Sequence, residues 1–216
     1  MLKIGRYKKN KKLGGNTFNP INIEKAKEEA DEITRTTDAL SKKVNRLMGG
    51  EIKNPLSDSD IKNLLENKTN IYLYEDLANV DDIVDILKPY GNCILLYQNS
   101  EHEGHWVCLN IRNTKSRGNI IEFFDSYGGA PDSQLKYCKY VKEPYLTQLL
   151  EKSQYDVSWN PYKLQSQRKD VNTCGRWCIL RSLMSDIPLS EFVELFKDNK
   201  KKPDYYATLL TTLLTN

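Results

Sequence analysis

The clearest periodic pattern of apolar positions lies between residues 20 and 50. Apolar or small residues recur at alternating steps of three and four, the spacing of the a and d positions of a coiled coil, with charged residues between them. The stripe consists of Ile23, Ala26, Ala30, Ile33, Thr37, Leu40, Val44 and Leu47. It predicts an amphipathic helix that begins after Pro20 and ends at Gly49-Gly50. We expect this helix to pack on the rest of the chain or on a partner, because an isolated coiled coil of this length is marginal.

Beyond Gly50, short helical patterns alternate with short apolar runs. The sequence Ser57-Asp58-Ser59-Asp60 is typical of a helix N-cap. Apolar runs bounded by turn-forming residues predict strands over 93–97, 105–111 and 119–124, followed later by an extended stretch over 156–165. Further helices are predicted over 81–87, 141–152, 174–184, 189–196 and 205–214. This order predicts an α+β domain with a small, mostly antiparallel sheet flanked by helices.

Charge changes sign where the pattern changes. Residues 1–50 hold 12 basic and 6 acidic side chains, whereas the remainder holds 20 and 23. We therefore divide the 216 residues into a segment 1–50 and a domain 51–216. Residues 1–19 predict a basic arm, in which residues 1–12 would contact nucleic acid or act as a solubilising tail.

Composition excludes several classes of protein. No apolar run approaches the ~18–20 residues of a membrane span, and no apolar segment typical of a secretory signal follows the basic N-terminus. The five cysteines form no Cys-x-x-Cys pair, which favours free thiols in a reducing compartment. We expect a protein that is not secreted and needs no metal.

Cys174 lies where the helical pattern of residues 174–184 begins. Unpaired N–H groups and the helix dipole at such a position favour a thiolate. Because Gly175 has no side chain, the backbone N–H beside the sulfur would remain accessible as a hydrogen-bond donor to an oxyanion. The alternative for Cys174 is a buried core cysteine, which is common. Cys178, one turn later, is predicted to be a core thiol.

Only two histidines are available as a base, His102 and His105. His105 follows a glycine and heads a predicted strand, whereas His102 lies in a charged loop and is expected to be solvated. A zinc site of both histidines with Cys108 is rejected, because the spacing matches no closed zinc site and residues 105 and 108 of a strand point to opposite faces.

Asp125 ends the predicted strand 119–124, at the turn Asp-Ser-Tyr-Gly-Gly. If this strand pairs with the strand of His105, Asp125 can orient the imidazole; otherwise it forms a plain Asx turn. Gln165 and Gln167 precede the Cys174 helix, and either amide could complete an oxyanion hole.

Taken together and in this order, these residues resemble the active-site motifs of a known family. The ordered set His105-Trp106, Phe124-Asp125-Ser126, a Leu-Gln pair and Cys174-Gly175 resembles the cysteine proteases typified by the adenovirus maturation protease and the SUMO-deconjugating (Ulp-like) proteases. The sequence motif Thr-Cys-Gly-Arg-Trp looks most like that of viral maturation proteases of double-stranded DNA viruses and their satellites. The resemblance covers residues 55–215 and implies a papain-like core.

The resemblance also implies roles. Cys174 would be the nucleophile, His105 the base and Asp125 the orienting acid, while Trp106 and Gly175 would line the substrate site. For the oxyanion glutamine, Gln167 matches the adenovirus spacing, which we favour slightly, and Gln165 matches the SUMO-protease pattern.

The implied activity is a cysteine endopeptidase that cuts viral structural proteins after Gly-Gly sites during virion maturation, in the virion interior or in the host cytoplasm or viral factory. The alternative is a protease that removes ubiquitin-like modifiers. Leu47-Met48-Gly49-Gly50, followed by Glu51, matches the family's cleavage sites and marks residues 1–50 as a removable pro-segment, although glycine also commonly follows a helix. No cofactor is required, DNA is a candidate activator by the same resemblance, and we expect a monomer.

Overall fold

The computed structural model describes residues 23–101, 103–116, 118–197 and 202–214, with side chains from residue 28 onward. The predicted basic arm (1–19) and His102 lie outside these residues. The helices described are α1 (Ile23–Glu51), α2 (Asp58–Leu64), α3 (Ile83–Leu87), α4 (Tyr145–Lys152), α5 (Cys174–Leu183), α6 (Leu189–Glu194) and α7 (Pro203–Leu213). Two short 3-10 helices span Tyr74–Asn79 and Leu135–Tyr137.

The chain divides into two compact units, Met1–Val44 and Asn45–Asn216. The predicted boundary after Gly50 falls a few residues later and stays a prediction. Among the described helices, none combines the length and the apolar character needed to cross a membrane.

Helix α1 continues through the two glycines expected to end it. It extends to Glu51, and the N–H of Ile52 still donates to the carbonyl of Met48 at 2.9 Å. The prediction that Gly49-Gly50 ends the helix is therefore wrong. Glycine in a helix costs roughly 1 kcal/mol relative to alanine, and burial of Met48 together with an ion pair of Glu51, described below, offsets that cost.

The sheet has five strands in the order β1-β2-β3-β4-β5. These strands are β1 (Asn70–Leu73), β2 (Asn92–Gln98), β3 (Gly104–Thr114), β4 (Gly118–Phe124) and β5 (Asp156–Trp159). The three predicted strands form its antiparallel centre, β2-β3-β4, and the two outer strands pair in parallel with their neighbours. The predicted α+β class, with a small sheet flanked by helices, is confirmed.

Both faces of the sheet are buried, because successive side chains of a strand point to opposite sides. Leu95 and Val107 pack on one face among residues of α3 and α4, whereas Ile94 and Cys108 pack on the other among residues of α2, α5, α6 and α7.

Helix α5 is fixed to this second face by a buried charge cluster. The guanidinium groups of Arg112 and Arg181 donate to the carboxylate of Glu122 at 2.6 and 2.5 Å, and both arginines also donate to the carbonyl of Ile187. Each buried charge therefore has partners, as the low polarity of the interior requires.

Candidate active site

Cys174 is the first residue of α5, as the sequence predicted. The preceding residue, Thr173, makes no side-chain cap to the helix and instead donates its hydroxyl to Asp204 of α7 at 2.5 Å. Asp204 also accepts from the Trp177 indole and the Ser166 amide. One buried carboxylate therefore holds the start of α5 and the preceding loop together, which places the thiol at the positive end of the helix.

His105 and Asp125 meet at one end of the sheet. His105 lies at the start of β3 and Asp125 directly after β4, and since these strands are antiparallel, the two ends are adjacent. Nε2 of His105 lies 2.7 Å from Oδ1 of Asp125, and the two side chains are 8% and 0% exposed. The thiol of Cys174 lies close enough to His105 for each group to shift the pKa of the other. The structure therefore brings Cys174, His105 and Asp125 together, with His105 adjacent to both the thiol and the carboxylate.

Asp125 is held by several further donors. Its Oδ1 accepts from the Tyr127 amide at 2.8 Å, its Oδ2 from the Gln134 side chain at 2.7 Å, and its carbonyl from the Asn160 side chain at 2.7 Å. A Cβ at Gly129 would lie 2.6 Å from Oδ2, so only glycine fits there without displacing the carboxylate. These contacts fix the orientation of the carboxylate and favour its ionised form.

The pKa values of Cys174, His105 and Asp125 are shifted in the directions that favour an ion pair between the thiolate and the imidazolium. Burial disfavours the imidazolium, but hydrogen bonds to Asp125 and Cys174 outweigh it and raise the pKa of His105 to about 9. Burial likewise opposes the thiolate, yet the hydrogen bond and charge of His105, with backbone hydrogen bonds from Trp106 and Gly175, lower the pKa of Cys174. The pKa of Asp125 is also lowered, by His105 and the donors just described, against the effect of burial. These shifts favour transfer of the thiol proton to the imidazole, which gives a thiolate beside an imidazolium.

Gln165 and Gln167 occupy different environments. Gln165 is 4% exposed; its Oε1 accepts from the Ser126 hydroxyl at 2.7 Å, and its Nε2 lies 3.3 Å from the Tyr127 hydroxyl. Gln167, the residue that the sequence slightly favoured, has an exposed side chain. The structure thus places Gln165, rather than Gln167, next to the residues around the thiol.

Tyr127 links this glutamine to the base. Its ring stacks on the His105 imidazole with centroids 4.4 Å apart and planes 12° from parallel. Burial and the nearby charges of Cys174 and Asp125 raise the pKa of Tyr127 to about 12, so the hydroxyl stays protonated at neutral pH.

Trp106 and Gly175 lie against each other beside the thiol. A Cβ at Gly175 would lie 3.3 Å from both Trp106 and Ile61, so a larger residue would push these side chains apart. Trp106 is 7% exposed, and its indole N–H donates to the carbonyl of Leu56 at 3.1 Å. The expected role of both residues in substrate binding stays a prediction.

Residues 51–56, here called the linking segment, comprise the last residue of α1 and the turn that follows it, and they run past the site. Arg176 donates to the Glu51 carboxylate at 2.7 Å, and Asn172 donates to the carbonyls of Ile52 and Lys53 at 2.8 and 2.7 Å. Asn172 and Arg176 flank Cys174 in sequence. A cut after Gly50 would leave every one of these contacts in the part that begins at Glu51.

Sequence reasoning missed several residues of this site. Tyr127 stacks on His105, while Gln134 and Asn160 both donate to Asp125. Arg176 pairs with Glu51 in the linking segment. A sequence signal existed for Tyr127 and Arg176, which follow Asp125 and Cys174 by two residues, whereas Gln134 and Asn160 are brought in by the fold.

No protein-family model matches the chain. Solved structures with a similar fold include a protease of ASFV (15% identity, TM-score 0.43, covering 74% of this chain and 67% of that one) and the SUMO protease Ulp1 with an oxidised catalytic cysteine (16%, TM-score 0.37, covering 75% and 78%). The central domain of an uncharacterized protein from Legionella pneumophila is also similar (16%, TM-score 0.38, covering 75% and 97%).

A curated sequence gives a much stronger match. The uncharacterized protein V9 of Sputnik virophage is 41% identical over 167 residues, which cover 72% of this chain and 93% of the virophage protein. Identity at this level over nearly the whole relative shows common ancestry. The chain belongs to the same protein family as this virophage protein.

Proposed function

We propose that the protein is a cysteine endopeptidase with Cys174 as nucleophile, His105 as base and Asp125 as orienting acid. The observation that carries this proposal is the order Cys174–His105–Asp125: His105 lies 2.7 Å from Asp125 and beside the thiol, with the pKa of the thiol lowered and that of the imidazole raised. Nucleophile, base and orienting group in hydrogen-bond reach are the arrangement that activates a thiol for acyl transfer.

The reaction follows from this arrangement. The Cys174 thiolate attacks the carbonyl carbon of a peptide bond, and the imidazolium of His105 donates its proton to the leaving amine as the C–N bond breaks. Water then attacks the resulting thioester and gives up one proton to His105; the C–S bond breaks, which restores the thiolate, and the carboxylic acid product leaves and loses its proton to solvent. Asp125 holds the imidazole in orientation throughout.

The developing oxyanion needs donors that do not have to reorganise. The backbone N–H of Cys174 at the start of α5 is one such donor, because the capping residue Thr173 provides no side-chain acceptor for the end of the helix. We assign the second to the amide of Gln165, whose burial beside Tyr127 contrasts with the exposure of Gln167.

For the substrate, we propose sites of the Gly-Gly type. Cys174 is 7% exposed, so a narrow approach favours residues without side chains next to the scissile bond. The relative encoded by a virophage favours viral proteins as targets, as in virion maturation. The chain's own Gly50–Glu51 bond is a candidate; because it lies in the last turn of α1, this turn must unwind before cleavage.

The test uses purified full-length chain and intact-mass spectrometry. Wild type, Cys174→Ala and Cys178→Ala are treated with a Leu-x-Gly-Gly peptide that carries a C-terminal electrophile. We expect one adduct on wild type and on Cys178→Ala, the matched buried thiol one turn later, and none on Cys174→Ala. Labelling that survives in Cys174→Ala would overturn the assignment of the nucleophile.

Self-cleavage is tested separately. Cys174→Ala chain is supplied as substrate to wild-type enzyme, alone and with DNA, and compared with a Gly50→Val version of the same substrate. A fragment beginning at Glu51, absent from the Gly50→Val substrate, supports the predicted site. If the peptide probe labels Cys174 and no such fragment forms, the protease assignment stands and removal of residues 1–50 is refuted.

A further inference from the structure

Helix α1 presents an apolar stripe to solvent. Ile33, Leu40 and Leu47, three of the large residues of the predicted stripe, are 66%, 61% and 58% exposed. An exposed apolar row of this length on a charged helix marks an interaction surface. The helix has 29 residues and is therefore about 43 Å long, which is enough to pair along several turns.

Charge along α1 indicates what covers the stripe. Residues 23–34 carry five acidic and two basic side chains, whereas residues 35–47 carry four basic and one acidic. Two copies in antiparallel orientation bring each acidic half against a basic half. A parallel pair would place like charges side by side, which is unfavourable.

The sizes of the stripe residues favour the same orientation. In an antiparallel pair centred near residue 35, Ala30 lies opposite Leu40 of the second copy and Ile33 lies opposite Thr37 of the second copy. Both of these layers combine a smaller and a larger side chain, which lets the side chains fill the space between the helices. In a parallel pair, alanine would face alanine and leave a void.

We propose that two copies of this chain associate through antiparallel pairing of α1. The stripe forms the contact, and Glu29 of one copy lies beside Lys43 of the other at the flanking g positions, twice by symmetry. This proposal replaces the monomer expected from sequence alone and does not depend on the proposed protease activity.

The first test measures the mass of the full-length Cys174→Ala chain by analytical ultracentrifugation over a range of concentrations. We expect the mass to rise to about twice the 25.0 kDa of one chain as concentration increases. The double variant Ile33→Ser/Leu40→Ser should remain at the mass of one chain. A Cys174→Ala chain that stays monomeric up to the highest soluble concentration, or a double variant that still dimerises, overturns the proposal.

Charge reversal tests the orientation. Glu29→Lys and Lys43→Glu should each weaken self-association by about tenfold, because two attractive pairs become repulsive. Mixing these two variants should restore dimers, since each lysine then meets a glutamate. Glu28→Lys and Lys42→Glu make the same charge changes at the outward f positions and serve as matched controls. Equal effects of the variants and their controls, or no recovery on mixing, would refute antiparallel pairing.

Discussion

Oε2 of Glu51 lies 2.7 Å from Nη2 of Arg176, which joins the last residue of α1 to the helix that begins with Cys174. Arg176 is nearly buried, and Thr211 is its other side-chain partner among the described residues, at 2.9 Å. Burial lowers the pKa of Arg176 while Glu51 opposes that change. The linking segment is therefore part of the environment of the site.

We predict that Glu51→Gln lowers the free energy of unfolding by about 1 kcal/mol. Removing the charge leaves a buried guanidinium without its carboxylate, but Glu51 is 42% exposed, so water compensates in part. Thermal or urea unfolding of the Cys174→Ala background measures this change. Glu151→Gln, an exposed site at the end of α4, is the control; an equal effect of both substitutions would contradict the role of the pair.

Asp125→Asn should reduce kcat by about 10²- to 10⁴-fold, because the amide no longer stabilises the imidazolium or selects its orientation. The pKa of His105 should fall at the same time, since the hydrogen bond to Asp125 is the largest contribution that raises it. Peptide cleavage kinetics and NMR titration of the imidazole measure the two effects. Asp156→Asn, at the exposed start of β5, should change neither.

The pH dependence of activity should have two limbs. Activity requires the Cys174 thiolate and the His105 imidazolium, so kcat/KM should fall as pH rises through about 9, where His105 loses its proton. On the acid side it should fall as the thiolate is protonated, at a pKa below the ordinary 9.0 of cysteine. A profile that keeps rising beyond pH 10 would contradict the ion pair.

The same pKa shift affects stability. Because folding raises the pKa of His105 from 6.5 to about 9, its contribution to stability is fully present below pH 6.5 and is lost as pH rises through 9. In Cys174→Ala the imidazole loses one partner, so we expect a lower pKa for His105 and a smaller loss of stability above neutral pH. NMR titration can follow this directly, with His102→Gln assigning the signals of the two histidines.

Gln165→Ala and Gln167→Ala form a matched pair. We expect the first to lower kcat by about 10²-fold through loss of an oxyanion donor, and the second to leave kcat within twofold, because its side chain is exposed. Unfolding measurements on both variants separate catalysis from stability, since Gln165 also binds Ser126. A large loss of kcat in Gln167→Ala alone would reverse the assignment.

Much of the arrangement was predictable from local sequence. The start of α5 at Cys174, the capping box at Ser57 and the three central strands each follow from signals within a few residues: apolar periodicity, N-cap residues and turn formers. The outer strand β1 is four residues long, too short to carry a reliable pattern, whereas β5 begins the stretch that was predicted to be extended. The parallel pairing of both strands depends on distant segments.

By itself, the sequence determined the order His105, Asp125, Cys174 and the elements that carry each residue, because helix and strand signals are local. Only the tertiary structure distinguished Gln165 from Gln167, since burial of an amide depends on what the fold packs around it. Only the tertiary structure brought Gln134 to Asp125 and Glu51 to Arg176, the second pair 125 residues apart in the chain. Contacts at such separations follow from the path of the whole backbone, which no local pattern specifies.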